Sequence, residues 1–318
     1  MLSRVADHLY WMSRYLERAE HTARLLDVHL NLVLDQSNGT AGQRRALLLA
    51  VLALPTPAEG VQDDYQLADL LTFARSNPCS IAACMRAARD NARQVREQIS
   101  SEMWEQINQL YLSVNAAQMN DLWASQPHDF YMTVKNGSHL FQGITDSTLS
   151  HGQGWQFIQL GRFLERAVAT AQLLNVEYQW MSQQPHVTMH SQLQLVGLLK
   201  TCTAFEAYTK VYTANLQTSM VCEFLLLNSE FPHAISFAVR MVQTALDAIA
   251  GATDSHKGAR VYRLAGRLRA MLDYSQIDEI IAGGLASYLT DLRNQCIQLH
   301  DAIYQTFITY PIEERLAR

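Results

Sequence analysis

Tyr15-Leu16-Glu17-Arg18-Ala19-Glu20-His21-Thr22-Ala23-Arg24-Leu25-Leu26-Asp27 returns, 148 residues later and without a gap, as Phe163-Leu164-Glu165-Arg166-Ala167-Val168-Ala169-Thr170-Ala171-Gln172-Leu173-Leu174-Asn175, with eight of thirteen positions identical. Around the first copy, apolar residues fall at Leu2, Val5, Leu9, Met12, Leu16, Ala19, Ala23, Leu26, Leu30 and Val33. Steps alternating between three and four put them on one face of a long helix. The face survives the shift, since Leu9, Met12, Leu16, Ala19, Ala23, Leu26, Leu30 and Val33 become Phe157, Leu160, Leu164, Ala167, Ala171, Leu174, Tyr178 and Met181. A weaker match aligns Pro78, Ile81 and Arg86 with Pro232, Ile235 and Arg240. The expectation is an all-α helical bundle built from two tandem, pseudo-twofold-related halves, 1–146 and 147–318. A half alone holds too few helices to bury its long one, so the halves should share one core.

Composition supports helices. The chain has 14 Gly and 7 Pro in 318 residues, well below the roughly 12% of average usage. Short β-branched runs of period two are almost absent. Further helices are expected at about 44–54, 65–75, from Ser76-Asn77-Pro78 to Ile99, and from a Ser100 cap to about Val114. In the second half they are expected at 155–181, 191–214, from Phe231-Pro232 to Gly251, at 259–272 and at 285–307.

Other signals exclude classes of function. A net charge of −5 provides no basic field for nucleic acid. Five scattered cysteines suit free thiols in a reducing cytoplasm. The N-terminus lacks the order of basic leader, apolar core and cleavage site, and the longest apolar run, Ala46 to Leu54, is about half of what a bilayer needs. The expected location is cytoplasmic, with no membrane and no nucleic-acid partner. There is no P-loop, nucleophile elbow or paired C-x-x-C, and Gly152-Gln153-Gly154 follows no strand, so it reads as a helix entry. The sequence predicts no cofactor and no metal. His186 and His190 read as a surface pair, and Lys257, Arg260, Arg263, Arg267 and Arg269 as a solvated face.

The chemistry-bearing pattern is Arg-x-x-Glu-Arg, present as Arg14, Glu17, Arg18 and again as Arg162, Glu165, Arg166. Each Glu can reach the preceding Arg one turn away on its own helix. Tyr10, Trp11, Tyr15 and Phe163 should cover these faces, and covered charges need partners. The structural interpretation is a pair of ion networks that fix helix register. A sharper one has Arg forks from both copies converging to hold a carboxylate or phosphate, with Arg14, Glu17, Arg18, Arg162, Glu165, Arg166 and Tyr10 as binding residues. A third groups Glu17 and His21, one turn apart, with Glu20, Glu102 or Glu165 as a metal site, against which each neighbouring Arg and Ala169 in place of a second His both argue. Glu17 and Glu165 could also form an acid and base pair, which would make the chain an enzyme in its own right.

Five stretches carry a family resemblance: Leu9-Tyr10-Trp11-Met12-Ser13-Arg14-Tyr15-Leu16-Glu17-Arg18-Ala19-Glu20, the Asn77-Pro78 helix start, Ser101-Glu102-Met103-Trp104-Glu105, Leu160-Gly161-Arg162-Phe163-Leu164-Glu165-Arg166-Ala167 and Phe224-Leu225-Leu226-Leu227. Together they resemble the bacterial alpha-E domain family over essentially the whole chain. Ser13 stands where the family usually has glycine, while Gly161 keeps it. The resemblance implies a helical bacterial protein whose relatives are fused to, or encoded beside, circularly permuted ATP-grasp proteins, transglutaminase-like proteins and sometimes proteasome-like peptidases. It implies peptide modification through amide-bond formation, and it carries over no catalytic residue. The expected role is a non-catalytic accessory of an ATP-grasp amidoligase system, partnered by the ATP-grasp protein and in some systems a transglutaminase-like protein. A homo-oligomer is left open.

Overall fold

The computed structural model describes residues 1–34, 41–55, 60–183, 189–213, 215–251 and 258–308. Among these residues every regular element is helical and there is no strand. The first half contributes α1 (Ser3–Leu34), α2 (Ala41–Val51), α3 (Asp64–Thr72), α4 (Ile81–Gln94), α5 (Ser101–Ala116), α6 (Met119–Ala124) and α7 (Pro127–Thr148). The second contributes α8 (Gln153–Ser182), α9 (Met189–Thr201), α10 (Phe205–Tyr212), α11 (Thr218–Leu227), α12 (Ile235–Gly251), α13 (Ala259–Asp273), α14 (Ile277–Gly283) and α15 (Leu285–Ile303), which runs into a π-helical turn at Tyr304–Ile308.

The two long helices, α1 and α8, pack on each other at the centre. Helices α3, α4, α7 and α9 also pack on α1, and α2, α12 and α15 on α8. One apolar cluster runs from Ala6 to Ile303 and draws on both long helices and those around them. Being surrounded explains why burial on α1 and α8 is wider than the apolar stripe. Ser13, Glu17, Glu20 and Thr22 on α1, and Gln159, Glu165, Arg166 and Thr170 on α8, are all buried.

Several boundaries differ from the sequence pattern, each for a local reason. Helix α4 starts at Ile81 because Ser80 Oγ accepts from Ala83 N, and Pro78 lies in the turn before it, where Asn77 Oδ1 accepts from Cys79 N. The same helix ends at Gln94, short of Ile99. Ser100 does cap α5, accepting from Met103 N. The single helix expected over 191–214 is two, broken by a turn at Thr203, which adopts φ 51°. Phe231 and Pro232 precede α12 without opening it, and Gly284, at φ 100°, separates α14 from α15. His186, the side chain of His190, and Lys257 lie outside the described residues. Arg260, Arg263 and Arg267 are exposed on α13. No helix among the described residues is long and apolar enough to cross a membrane.

Candidate functional site

The crossing of α1 and α8 is held close by one glycine. A Cβ on Gly161 would sit 2.2 Å from Ser13 Oγ and 2.3 Å from the carbonyl oxygen of Tyr10, so the α8 backbone lies directly on α1. Ser13 fits because its hydroxyl donates to that Tyr10 carbonyl at 2.9 Å. Close approach brings the charged triplets of the two helices face to face.

The pairing runs between helices. Arg14 places both Nε and Nη2 at 2.7 Å from Glu165 Oε2, and Arg18 Nε lies 2.7 Å from Glu165 Oε1. In return, Arg166 grips Glu17 with two parallel bonds, Nε to Oε1 at 2.5 Å and Nη2 to Oε2 at 2.9 Å. Neither Glu pairs with the Arg one turn before it, which corrects the within-helix pairing expected from the spacing. Across the crossing, a guanidinium reaches a carboxylate that its own helix geometry would hold off to the side.

Charge settles as the pairing implies. Burial alone would raise the Glu165 carboxyl, but the Arg14 and Arg18 charges and hydrogen bonds outweigh it and hold it down at about 2. Burial works against the Arg166 charge, and Glu17 more than restores it. Tyr10, fully buried, lies 2.8 Å from His300 Nδ1 and accepts from Arg14 Nη1 at 3.2 Å, so it belongs to the Glu165 network. Burial, opposed in part by Arg14, pushes the Tyr10 phenol up to about 12, and burial with Arg14 pulls His300 down to about 4. Trp11 and Tyr15 cover the arginines as expected, with the Arg14 guanidinium 4.9 Å from the Trp11 ring and that of Arg18 5.6 Å from Tyr15.

Arg162 is the exception among the expected binding residues. Among the described residues it makes no ion pair and its buried Nε has no hydrogen-bond partner, while its guanidinium lies 4.9 Å from the Phe163 ring. Burial and the adjacent Arg166 charge pull it down to about 10, with Glu17, Glu20 and Asp146 only partly offsetting them. It faces a small cleft with Ser13, Glu17, Gln142, Thr145 and Gln159.

A second polar cleft lies one turn further along α1, lined by Glu17, Glu20, His21, Arg24, Arg166, Cys202 and His233. Glu20 receives Arg24 Nη2 at 2.5 Å and lies 3.1 Å from His139 Nε2. Against the raising effect of burial, the His139 bond and the charges of Arg24 and its neighbours bring the Glu20 carboxyl well below the usual range. Burial lowers His21 to about 4 and holds His233 well below its ordinary value, which leaves both imidazoles neutral. The periodicity could have flagged Glu20 and Arg24, four apart on one helix. His139, Gln142, Gln159 and His233 sit on other elements or outside any repeated motif, so nothing local marks them. Among the described residues no group of three or more His, Cys, Asp and Glu is placed to hold a metal ion, and Glu102 is exposed in the first turn of α5.

A helical protein in which two long central helices exchange Glu–Arg pairs is the class this geometry defines. The chain belongs to the Alpha-E family, described as a predicted alpha-helical domain with a conserved ER motif, whose profile matches residues 1–308. Uncharacterized proteins of Mycobacterium bovis and of Mycobacterium tuberculosis strain CDC 1551 are each 24% identical over 314 residues, which is 91% of this chain and 34% of theirs. One from M. tuberculosis strain H37Rv is 23% identical over the same length. The chain thus spans about a third of the length of the curated relatives it matches. No solved structure matches it.

Proposed function

We propose that the chain is a non-catalytic helical accessory of an ATP-grasp amidoligase system, working in the cytoplasm, with the crossing of α1 and α8 as its structural lock and as a receptor for a small anion. The single observation that carries this reading is the exchange of pairs. Arg14 and Arg18 are committed to Glu165 and Arg166 to Glu17, so the repeated motif is largely spent on holding the two helices together. On this reading the halves 1–146 and 147–318 are duplicated units joined about a pseudo-twofold axis. The 148-residue repeat and the reciprocal direction of the ion pairs both favour that arrangement.

The ATP-grasp partner comes from the family resemblance, and it agrees with relatives about three times as long as the matched region, in which the helical unit occupies part of a larger chain. A catalytic acid and base pair is a weaker alternative. A carboxyl held at about 2, like that of Glu165, neither donates a proton near neutral pH nor accepts one readily. The test is co-purification of the full chain with an ATP-grasp protein encoded beside it, followed by an amidoligase assay with and without the chain. Stable association and a loss of product on omission are expected. No association together with an unchanged rate would overturn the proposal.

A further inference from the structure

The two triplets at the crossing carry four guanidinium groups, Arg14, Arg18, Arg162 and Arg166, against two carboxylates, Glu17 and Glu165, and the neighbouring Glu20 is taken up by Arg24. Burying cationic charge without a counter-ion is costly, and proteins relieve the cost by pairing it. Three of the four guanidiniums are paired inside the fold. Arg162 is not, although most of its surface is covered, and the carboxylate nearest in kind, Glu17, already has both oxygens engaged by Arg166.

The rest of the cleft supplies donors. Gln142 Nε2 reaches Glu17 Oε2 only at 3.5 Å, which leaves that amide weakly used. Gln159, 5% exposed, turns toward the same space. Ser13 and Thr145 spend their hydroxyl protons on the carbonyls of Tyr10 and Phe141. Leu16, Phe141 and Ile158 make the remaining wall apolar. Free space at the bottom amounts to about one water molecule, while the mouth is open.

We propose that this cleft binds a single carboxylate head group, of the size borne by a glutamate side chain or a chain terminus, with Arg162 as its counter-ion and the Gln142 and Gln159 amides as further donors. With room for about one water at the bottom, the head group sits at the open mouth, where its two oxygens match the planar guanidinium fork and its single charge matches that of Arg162, whereas phosphate brings nearly two charges beside Glu17. The Glu17 carboxylate faces the same space, but its charge is balanced by Arg166. This proposal deepens the receptor role given above and rests on it for biological meaning; binding itself does not depend on any partner protein.

The experiment titrates the full chain with sodium propionate, propionamide and inorganic phosphate at fixed ionic strength, following the melting temperature and the Arg162 side-chain NH signal by NMR. Propionate should give a saturable rise in melting temperature and a saturable shift of that signal. Propionamide should give neither, and Arg162→Gln should weaken the propionate response at least about tenfold, the loss of one charge-assisted pair. Arg162→Gln should also fold, since it breaks no ion pair and costs only the contact with the Phe163 ring. If it does not fold, Gln159→Ala provides the second variant, with an expected severalfold weakening. An equal response to propionamide, an equal response in Arg162→Gln or Gln159→Ala, or tighter binding of phosphate than of propionate would overturn the assignment. Propionate binding without ATP-grasp association would sink the accessory role and leave the site standing, and the converse result would do the opposite.

Discussion

The Arg166 guanidinium crosses from α8 to α1 and holds both oxygens of Glu17, at 2.5 Å and 2.9 Å, while its third nitrogen donates to the carbonyl of Pro232 at 3.2 Å. One side chain therefore ties together both long helices and the segment leading into α12. Both partners are buried, so each has lost its water and depends on the other.

Arg166→Gln should be among the most damaging single substitutions outside the apolar core. It strands the Glu17 carboxylate in a dry site, at a cost of about 3–5 kcal/mol. Pairing it with Glu17→Gln removes the stranded charge and should recover much of that loss. Chemical denaturation of the wild type, both single variants and the double variant measures the coupling. A double variant as unstable as the sum of the singles would mean the pair does not act as a unit.

At the crossing itself, Gly161→Ala should destabilise by about 1–3 kcal/mol or more, because the added methyl meets both Ser13 Oγ and the Tyr10 carbonyl. Ser13→Gly in the same chain removes only the first of these clashes, so it should restore the stability in part. Thermal melts of the three variants give the order. Full restoration by Ser13→Gly would show that the backbone contact is not the constraint.

Stability should fall on acidification in two overlapping stages. His21 and His300 sit at about 4 against an ordinary 6.5, so the unfolded chain binds protons first and stability declines as pH drops from about 6.5 to 4. Glu165 sits at about 2 against 4.5, so its contribution is full above 4.5 and is lost as pH falls toward 2. Denaturation midpoints measured between pH 3 and 7 check this. Glu165→Gln should flatten the lower stage and, because that carboxylate favours the protonated forms of His21 and His300, leave the upper one at least as steep; a variant curve parallel to the wild type throughout would contradict the assignment.

Glu177 on α8 should act with the opposite sign. Burial raises its carboxyl to about 7, only partly opposed by the Arg44 charge, so the folded chain holds a proton there that the unfolded chain has released. Stability from this group declines as pH rises from about 4.5 to 7 and is level beyond. Glu177→Gln should therefore be more stable than the wild type at pH 8, by on the order of 1–3 kcal/mol, with the difference vanishing near pH 4. A difference independent of pH would rule the titration out.

Much of this was readable before any coordinates. The stripes of α1 and α8 mark two helices that must be covered, because nine apolar positions in step along the 32 residues of α1 have no other use. That Arg14, Glu17, Glu165 and Arg166 need partners followed from the aromatic residues beside them. Which partner each takes did not follow, since a Glu three residues from one Arg and next to another satisfies any pairing rule that sees a single helix. The site's depth was likewise hidden: Gln142 comes from α7 and His233 from the turn before α12, and only the packing of separate elements brings them to α1. The break at Thr203 was invisible for a different reason, as no Gly or Pro announces it and the chain turns there through a positive φ on a β-branched residue.

The direction of the ion pairs also imposes an order of events on a chain growing from its N-terminus. Glu17 precedes its final counter-ion by 149 residues, so until α8 is made α1 can balance that acid only with the flanking Arg14 and Arg18, which are themselves destined for Glu165. Until α8 has been synthesised the first helix has reason to stay hydrated and loosely held, and its final docking waits for the middle of the chain.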